Sequence, residues 1–308
     1  MSVVRTPKDG PIRSMVVLGY QRSGTSLLAE IVHRWGAYAG PDELLAPADQ
    51  FNPQGYWEHT PLLGLFRAIA EFADHPSPTI TYFTIDQGCV RRAVDTPSLR
   101  QWGQRLIARM EEPCTPWMWK DPALACFLPY WLHLWKSPLF LITVRDPWDS
   151  AYSWQKMLLP GRDPTPAAVS AWLLQWQRCM TLILDNTRDR PRLFVEYERL
   201  LDRPHHEAGR IAGFLEAHLE SPRSTGLDIG AMAGAVTQGY ATHRGGARVA
   251  AQGEPTRVQE RLYQRLQKLT RDRTIDPGAV GHPLPRGWIE QLRSQERQVL
   301  VELGIVHT

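Results

Sequence analysis

The 308-residue chain is poor in the features that announce metal, redox or membrane chemistry. Its four cysteines, Cys89, Cys114, Cys126 and Cys179, form no Cys-x-x-Cys pair and no His/Cys cluster of zinc spacing, so free thiols and no metal site are expected. Long apolar runs are missing too. The most apolar region, residues 123–135, is too short to span a bilayer and contains Pro129 and His133. Pro7, Lys8, Asp9 and Arg13 interrupt any signal-peptide core, which makes a reducing cytoplasm the expected location. Charge of one sign is not in excess: 35 basic against 32 acidic residues leave +3, too balanced for nucleic-acid binding over the whole surface. Neither internal repeats nor low-complexity segments occur.

One further absence is more specific. Gly19-Tyr20-Gln21-Arg22-Ser23-Gly24-Thr25-Ser26 has the layout of a phosphate-binding loop, but Thr25 stands where a nucleotide triphosphatase carries its lysine. A magnesium-triphosphate enzyme would thereby lose its main charge clamp. The cation appears three residues earlier, as Arg22. Ser14 to Leu18 reads as a short buried strand, and Leu27, Leu28, Ile31, Val32 and Trp35 recur at helical spacing after the loop. Strand, loop and helix start aim backbone N–H groups and the positive helix end at one anion. Gly24 permits close backbone approach, and Ser23, Thr25 and Ser26 offer hydroxyls. An ordinary strand-to-helix turn rich in small residues is the other reading.

A second anion-binding signal lies about 120 residues on. The apolar, β-branched run 138–144 suits a buried parallel strand and ends in Arg145-Asp146-Pro147, before a helix opening near Asp149. Arg145 then lies at the strand's carboxyl end, where open α/β sheets bind ligands. Ser150 and Ser153 share one face of the following helix, and an arginine with a nearby hydroxyl can grip a phosphate. Alternatively, Arg145 pairs with Asp146 or Asp149 and the serines are surface residues.

Two more segments carry reactive side chains. Lys120, in Trp119-Lys120-Asp121-Pro122, stands before an Asp-Pro turn, where its ammonium can neutralise charge on a leaving oxygen. An exposed lysine with its stem packed on Trp119 fits as well. Asn52-Pro53-Gln54-Gly55-Tyr56-Trp57-Glu58-His59 reads as a shaped loop before a helix over 60–73. Glu58 and His59 are both competent bases; stabilisation of the next helix dipole is the alternative for the carboxylate.

These motifs together resemble the PAPS-dependent sulfotransferases, in particular the bacterial and tyrosylprotein-like branch. The loop resembles the family's 5′-phosphosulfate segment, with Gln21 replacing the usual proline. Arg145 and Ser153, eight apart, match its 3′-phosphate motif. Lys120-Asp121-Pro122 and Glu196-Tyr197-Glu198-x-Leu200 also match this branch. The resemblance implies that Arg22, Ser23, Gly24, Thr25 and Ser26 hold the 5′ phosphate and sulfonate, that Lys120 contacts the transferring group, and that Glu58 is the base. It places Tyr197 near the nucleotide, though a satisfied core tyrosine is equally compatible with the residues. His243-Arg244-Gly245-Gly246 loosely resembles a family loop over the 3′ phosphate, which makes Arg244 a further candidate. The implied co-substrate is PAPS (3′-phosphoadenosine 5′-phosphosulfate), with no metal, and the partner is a hydroxyl-bearing small molecule, carbohydrate or lipid. A P-loop kinase-like phosphotransferase is the alternative.

The expected fold is α/β, a central parallel sheet with flanking helices, P-loop sulfotransferase-like. Strands at 14–18, 139–144 and 192–195 alternate with helices at 25–35, 60–73, 97–111, 149–158, 166–186 and 206–218. Residues 76–95 and 221–254 carry loop signals. One domain over 1–308 is expected, with residues 255–308 a helical appendage. Trp131 with Trp135, and Trp172 with Trp176, fall one turn apart and are expected in the core; Trp57 and Trp148 are pocket candidates. The acceptor and the oligomeric state are not readable.

Overall fold

A computed structural model describes residues 14–219, 228–236, 256–271 and 284–306. Four strands, β1 (Ser14–Leu18), β2 (Trp117–Lys120), β3 (Leu139–Val144) and β4 (Arg192–Glu196), form one sheet in the order β2-β1-β3-β4. All three pairings are parallel. All strand carboxyl ends therefore point to the same edge.

Side chains alternate across the sheet and divide the core into two layers. Val16, Leu18, Trp117, Trp119, Phe140 and Ile142 face one layer. Met15, Val17, Met118, Leu139 and Leu141 face the other. The second layer is closed by α1 (Thr25–Trp35), whose Leu27, Leu28, Ile31 and Val32 are fully buried, together with α9 (Pro204–His218) and α10 (Ile229–Ala233). The first layer is covered by α2 (Thr60–Phe72), α3 (Gln87–Arg92), α4 (Pro97–Glu111), α5 (Leu124–Trp131), α6 (Pro147–Leu158) and α7 (Pro166–Thr187). The short helix α8 (Tyr197–Asp202) follows β4 directly. Helices on both faces of a parallel sheet make this the expected α/β architecture.

The last helices, α11 (Arg257–Arg271) and α12 (Trp288–Glu302), place Leu262, Leu266, Leu269 and Val299 in the first-layer core. Trp131, Trp135, Trp172 and Trp176 are buried there, as their spacing predicts. Trp148 is buried in that core as well, and the ring of Trp57 lies 4.7 Å from that of His33; neither lines the main cavity, so both pocket expectations are corrected to packing.

Two departures from the sequence reading have local causes. Strand β2 escapes notice because Trp-Met-Trp-Lys has no β-branched residue and no polar alternation, being buried on both faces. The fourth expected helix-start, near Asp149, moves to Pro147 because Asp146 caps it: its carboxylate accepts from the N–H groups of Trp148 (2.8 Å) and Asp149 (3.3 Å). Proline at the first helical position is compatible with that cap. Helix α3 also lies inside the segment 76–95 that reads as loop.

Candidate active site

The loop after β1 turns on two residues with left-handed backbone, Arg22 (φ 60°) and Gly24 (φ 90°). At Gly24 a side chain is impossible on two counts, because a Cβ there would also run into the ring of Tyr197. The ring therefore lies directly against the loop backbone. Ser23 is turned inward: its hydroxyl donates to the Tyr20 carbonyl (2.6 Å) and shares a 2.7 Å hydrogen bond with Thr143 on β3. Only 2% exposed, this side chain braces the loop against the sheet, which corrects its expected part as an anion-facing hydroxyl. Gly24, Thr25 and Ser26 do line the cavity. Ser26 Oγ donates to the Tyr56 carbonyl (3.3 Å) and accepts from Asn52 Nδ2 (3.0 Å).

Arg22 and Arg145 meet above β1 and β3. Arg145 Nη1 donates to the Arg22 carbonyl (2.7 Å), and its guanidinium lies 4.6 Å from the centre of the Tyr197 ring. Arg22 Nε donates to Ser153 Oγ (3.1 Å) on α6, while both its terminal nitrogens reach the Phe51 carbonyl at 3.2 Å. Burial, with a smaller contribution from Arg145, lowers the pKa of Arg22 from its ordinary value. Two guanidiniums, one serine hydroxyl and one aromatic face are thus gathered from four chain segments. Ser150 and Ser153 are both buried, so neither is a surface serine.

Lys120 closes the other side of the loop. As the last residue of β2 it is 2% exposed, which excludes the surface-lysine reading. Its Nζ donates to Glu58 Oε1 at 2.7 Å. Both line the cavity, whereas His59 does not. The imidazole of His59 is 1% exposed and stacked near Trp119 (centroids 6.3 Å apart), and burial pushes its pKa down to about 4. A neutral ring enclosed in the core is no base for a reaction in the cavity. Of the two adjacent candidates, only Glu58 faces the right way.

Asp121 was not singled out by the sequence. Its carboxylate lines the cavity, accepts from the Ala123 N–H (2.7 Å) through Oδ1, and leaves Oδ2 buried without a hydrogen-bond partner. Burial, reinforced by the charge of Glu58, pushes its pKa up to about 7. The only available signal was its place between Lys120 and Pro122 at a strand end.

The cavity measures about 560 Å³ and runs across the carboxyl ends of the strands. Tyr197 and Arg145, after β4 and β3, mark one end; the loop after β1 lies in the middle; Lys120, Asp121 and Glu58 gather at the β2 edge. Arg244 lies outside the described residues. A family model described as "Sulfotransferase family" matches residues 14–221, more than half of the chain.

The chain belongs to the sulfotransferase family.

No curated protein matches it significantly. Solved structures similar to this sulfotransferase include the sulfotransferase domain of the Synechococcus PCC 7002 olefin synthase, at 17% identity and TM-score 0.45, covering 94% of this chain and 97% of that one. Another is the sulfotransferase domain from the curacin biosynthetic pathway, at 14% identity and TM-score 0.42, with 97% and 99% covered. Sulfotransferase STF9 from Mycobacterium avium matches at 11% identity and TM-score 0.43, with 95% and 77% covered. None of the described helices is long and apolar enough to cross a membrane.

A buried polar chain connects the sulfotransferase loop to the last helix. Tyr20 Oη donates to Gln175 Oε1 (2.8 Å), Gln175 Nε2 donates to Thr81 Oγ1 (3.0 Å), and Thr81 Oγ1 donates to Glu296 Oε1. Burial pushes the Glu296 carboxyl up to about 7. A carboxyl held protonated in the folded state and ionised earlier in the unfolded one stabilises fully below its unfolded pKa; that contribution fades as pH rises towards 7. Glu296→Gln removes the titration while keeping the hydrogen-bonding shape. Urea unfolding at pH 5 and pH 7.5 is expected to show the variant losing roughly 2 kcal/mol less than the parent over that interval. Equal losses would show that Glu296 does not titrate in this window.

Proposed function

We propose that this chain transfers the sulfonate of PAPS directly to a hydroxyl acceptor. The observation that carries the reading is the Lys120–Glu58 pair, 2.7 Å apart at one end of a cavity whose other end holds Arg145 against Tyr197, with the loop between them. This spacing of functions suits a donor bearing anions at both its 5′ and 3′ positions. Arg145, with Ser153 close by through Arg22, supplies the cationic and hydroxyl grip for the 3′ phosphate. Tyr197 offers an aromatic face beside it, and the backbone of Gly24, Thr25 and Ser26 at the start of α1 receives the 5′ phosphate. Arg244 is a further proposed contact to the 3′ phosphate.

Transfer requires one bond to form and one to break. The acceptor oxygen attacks sulfur, the bond from sulfur to the bridging phosphate oxygen breaks, and 3′,5′-adenosine bisphosphate leaves with that electron pair. Glu58 takes the acceptor proton. Lys120, with three N–H donors of which one goes to Glu58, has donors for the bridging oxygen as negative charge grows there. Arg22 adds a second cation over the loop. No step here requires a metal.

The donor half is tested without knowing the acceptor. Adding 3′,5′-adenosine bisphosphate at about 100 times its Kd, without magnesium, is expected to stabilise the protein by about 2.7 kcal/mol. Differential scanning fluorimetry should register that as a rise of roughly 4 °C. Stabilisation by magnesium-ATP alone would replace this reading with a kinase-like one.

A further inference from the structure

Beyond the transfer point, the cavity has a wall of its own. Leu63 on α2, Ile80, Tyr82 and Phe83 from the segment before α3, and Pro122 with Ala123 after β2 all line it. Its position is fixed by the sheet order. Tyr197 and Arg145 stand at the β4 and β3 end, and Lys120 stands at the opposite edge. Tyr82 lies on that same edge, close enough to Asp121 for the aspartate charge to raise its phenol pKa in addition to burial. Its ring also packs 5.1 Å from Phe127 and 6.4 Å from Phe66. The wall therefore lies on the Glu58 and Lys120 side, where an acceptor has to enter.

Apart from Asp121 Oδ2 and the remaining donors of Lys120 at the transfer point, this wall offers few free polar groups. Thr81 Oγ1 donates to Glu296 and accepts from Gln175. The Tyr82 hydroxyl lies close enough to Arg67 for its charge to oppose the rise in the phenol pKa. Lys120 and Glu58 bind one another. A polyhydroxylated acceptor would leave water here for a wall made mostly of hydrocarbon, and each unpaired hydroxyl buried this way costs about 1–3 kcal/mol. A hydrocarbon body loses nothing on entering and gains from covering the wall. Leu63, 38% exposed at the rim, is an apolar surface that such a body would cover.

We propose that the acceptor is an uncharged alcohol or phenol with a hydrocarbon body, and that Leu63, Ile80, Tyr82 and Phe83 select it over sugars. This rests on the transfer reaction proposed above only for where the hydroxyl goes. Asp121 Oδ2, buried and unpartnered beside the wall, is placed to meet that single hydroxyl.

The test uses 2-naphthol and 1-octanol against glucose and N-acetylglucosamine. Sulfonate transfer from labelled PAPS is expected to show kcat/KM for the better apolar alcohol about 100-fold or more above either sugar. Saturation-transfer NMR, which needs no turnover, should show the same alcohol in contact with the protein. Leu63→Asp, at a rim position that tolerates charge, is expected to weaken the apolar alcohol about tenfold while the thermal shift with 3′,5′-adenosine bisphosphate stays unchanged. Ile80→Asp is the second variant. Sugars equal to or better than both alcohols, or no NMR contact from either alcohol, would overturn the inference while leaving the donor reading intact. Alcohol contact that Leu63→Asp weakens, in a protein that 3′,5′-adenosine bisphosphate does not stabilise, would support the wall and remove the donor.

Discussion

Replacing Lys120 by alanine is expected to lower kcat by roughly a hundred- to a thousand-fold, the range seen when a preorganised donor to a developing oxyanion is removed. The loss should fall on kcat and kcat/KM together, because the charge on the bridging oxygen develops only as the sulfonate leaves. Affinity for 3′,5′-adenosine bisphosphate, measured by calorimetry, should change far less than kcat. Lys120 is 2% exposed but its partner Glu58 is 26% exposed, so the orphaned carboxylate regains water and the fold survives. Glu58→Gln should reduce kcat as well, leaving the same hydrogen-bond geometry without the base. If both variants turn over at near-parental rates, the pair is structural and the mechanism assigned to it fails.

The second large effect is on binding. Arg145→Ala is expected to raise the Kd for 3′,5′-adenosine bisphosphate by about a hundredfold, as one charge-assisted, multidentate phosphate contact is lost. Arg145→Lys should recover only a part of that. A lysine keeps the charge, but its single ammonium cannot both lie flat near Tyr197 and bond the Arg22 carbonyl as the guanidinium does. An unchanged constant in Arg145→Ala would take Arg145 out of the phosphate site.

How much of this could be read beforehand depended on how far the deciding atoms lie apart in the chain. The loop at 19–26 was legible because strand, glycine and helix start are contiguous, and so was Arg145 at the end of an unmistakable buried strand. Ser23 was not, since what turns its hydroxyl inward is Thr143, 120 positions away. Glu58 and His59 are neighbours with opposite fates, and nothing local says which one the Trp119 ring will cover. Asp121 and Glu296 owe their raised pKa values to burial, a property of the assembled core. Strand β2 was missed because it is buried on both faces, tryptophans on one and Met118 on the other, so it shows neither alternation nor β-branching. The family-derived grouping of Arg22, Arg145, Ser153 and Tyr197 nevertheless corresponds to one end of a single cavity.

The segment 49–58 is fastened to the loop at three points: Arg22 to the Phe51 carbonyl, Asn52 to Ser26, and Ser26 to the Tyr56 carbonyl. Glu58, at the end of that segment, is therefore held in a fixed relation to the loop after β1. The wall at 80–83 is tied to the last helix as well, through Thr81 and Glu296. Through Gln175 the same Thr81 is also tied to Tyr20 of the loop, so a change in that distant helix reaches the wall and the loop together, and a substitution far from the cavity acts on both at once.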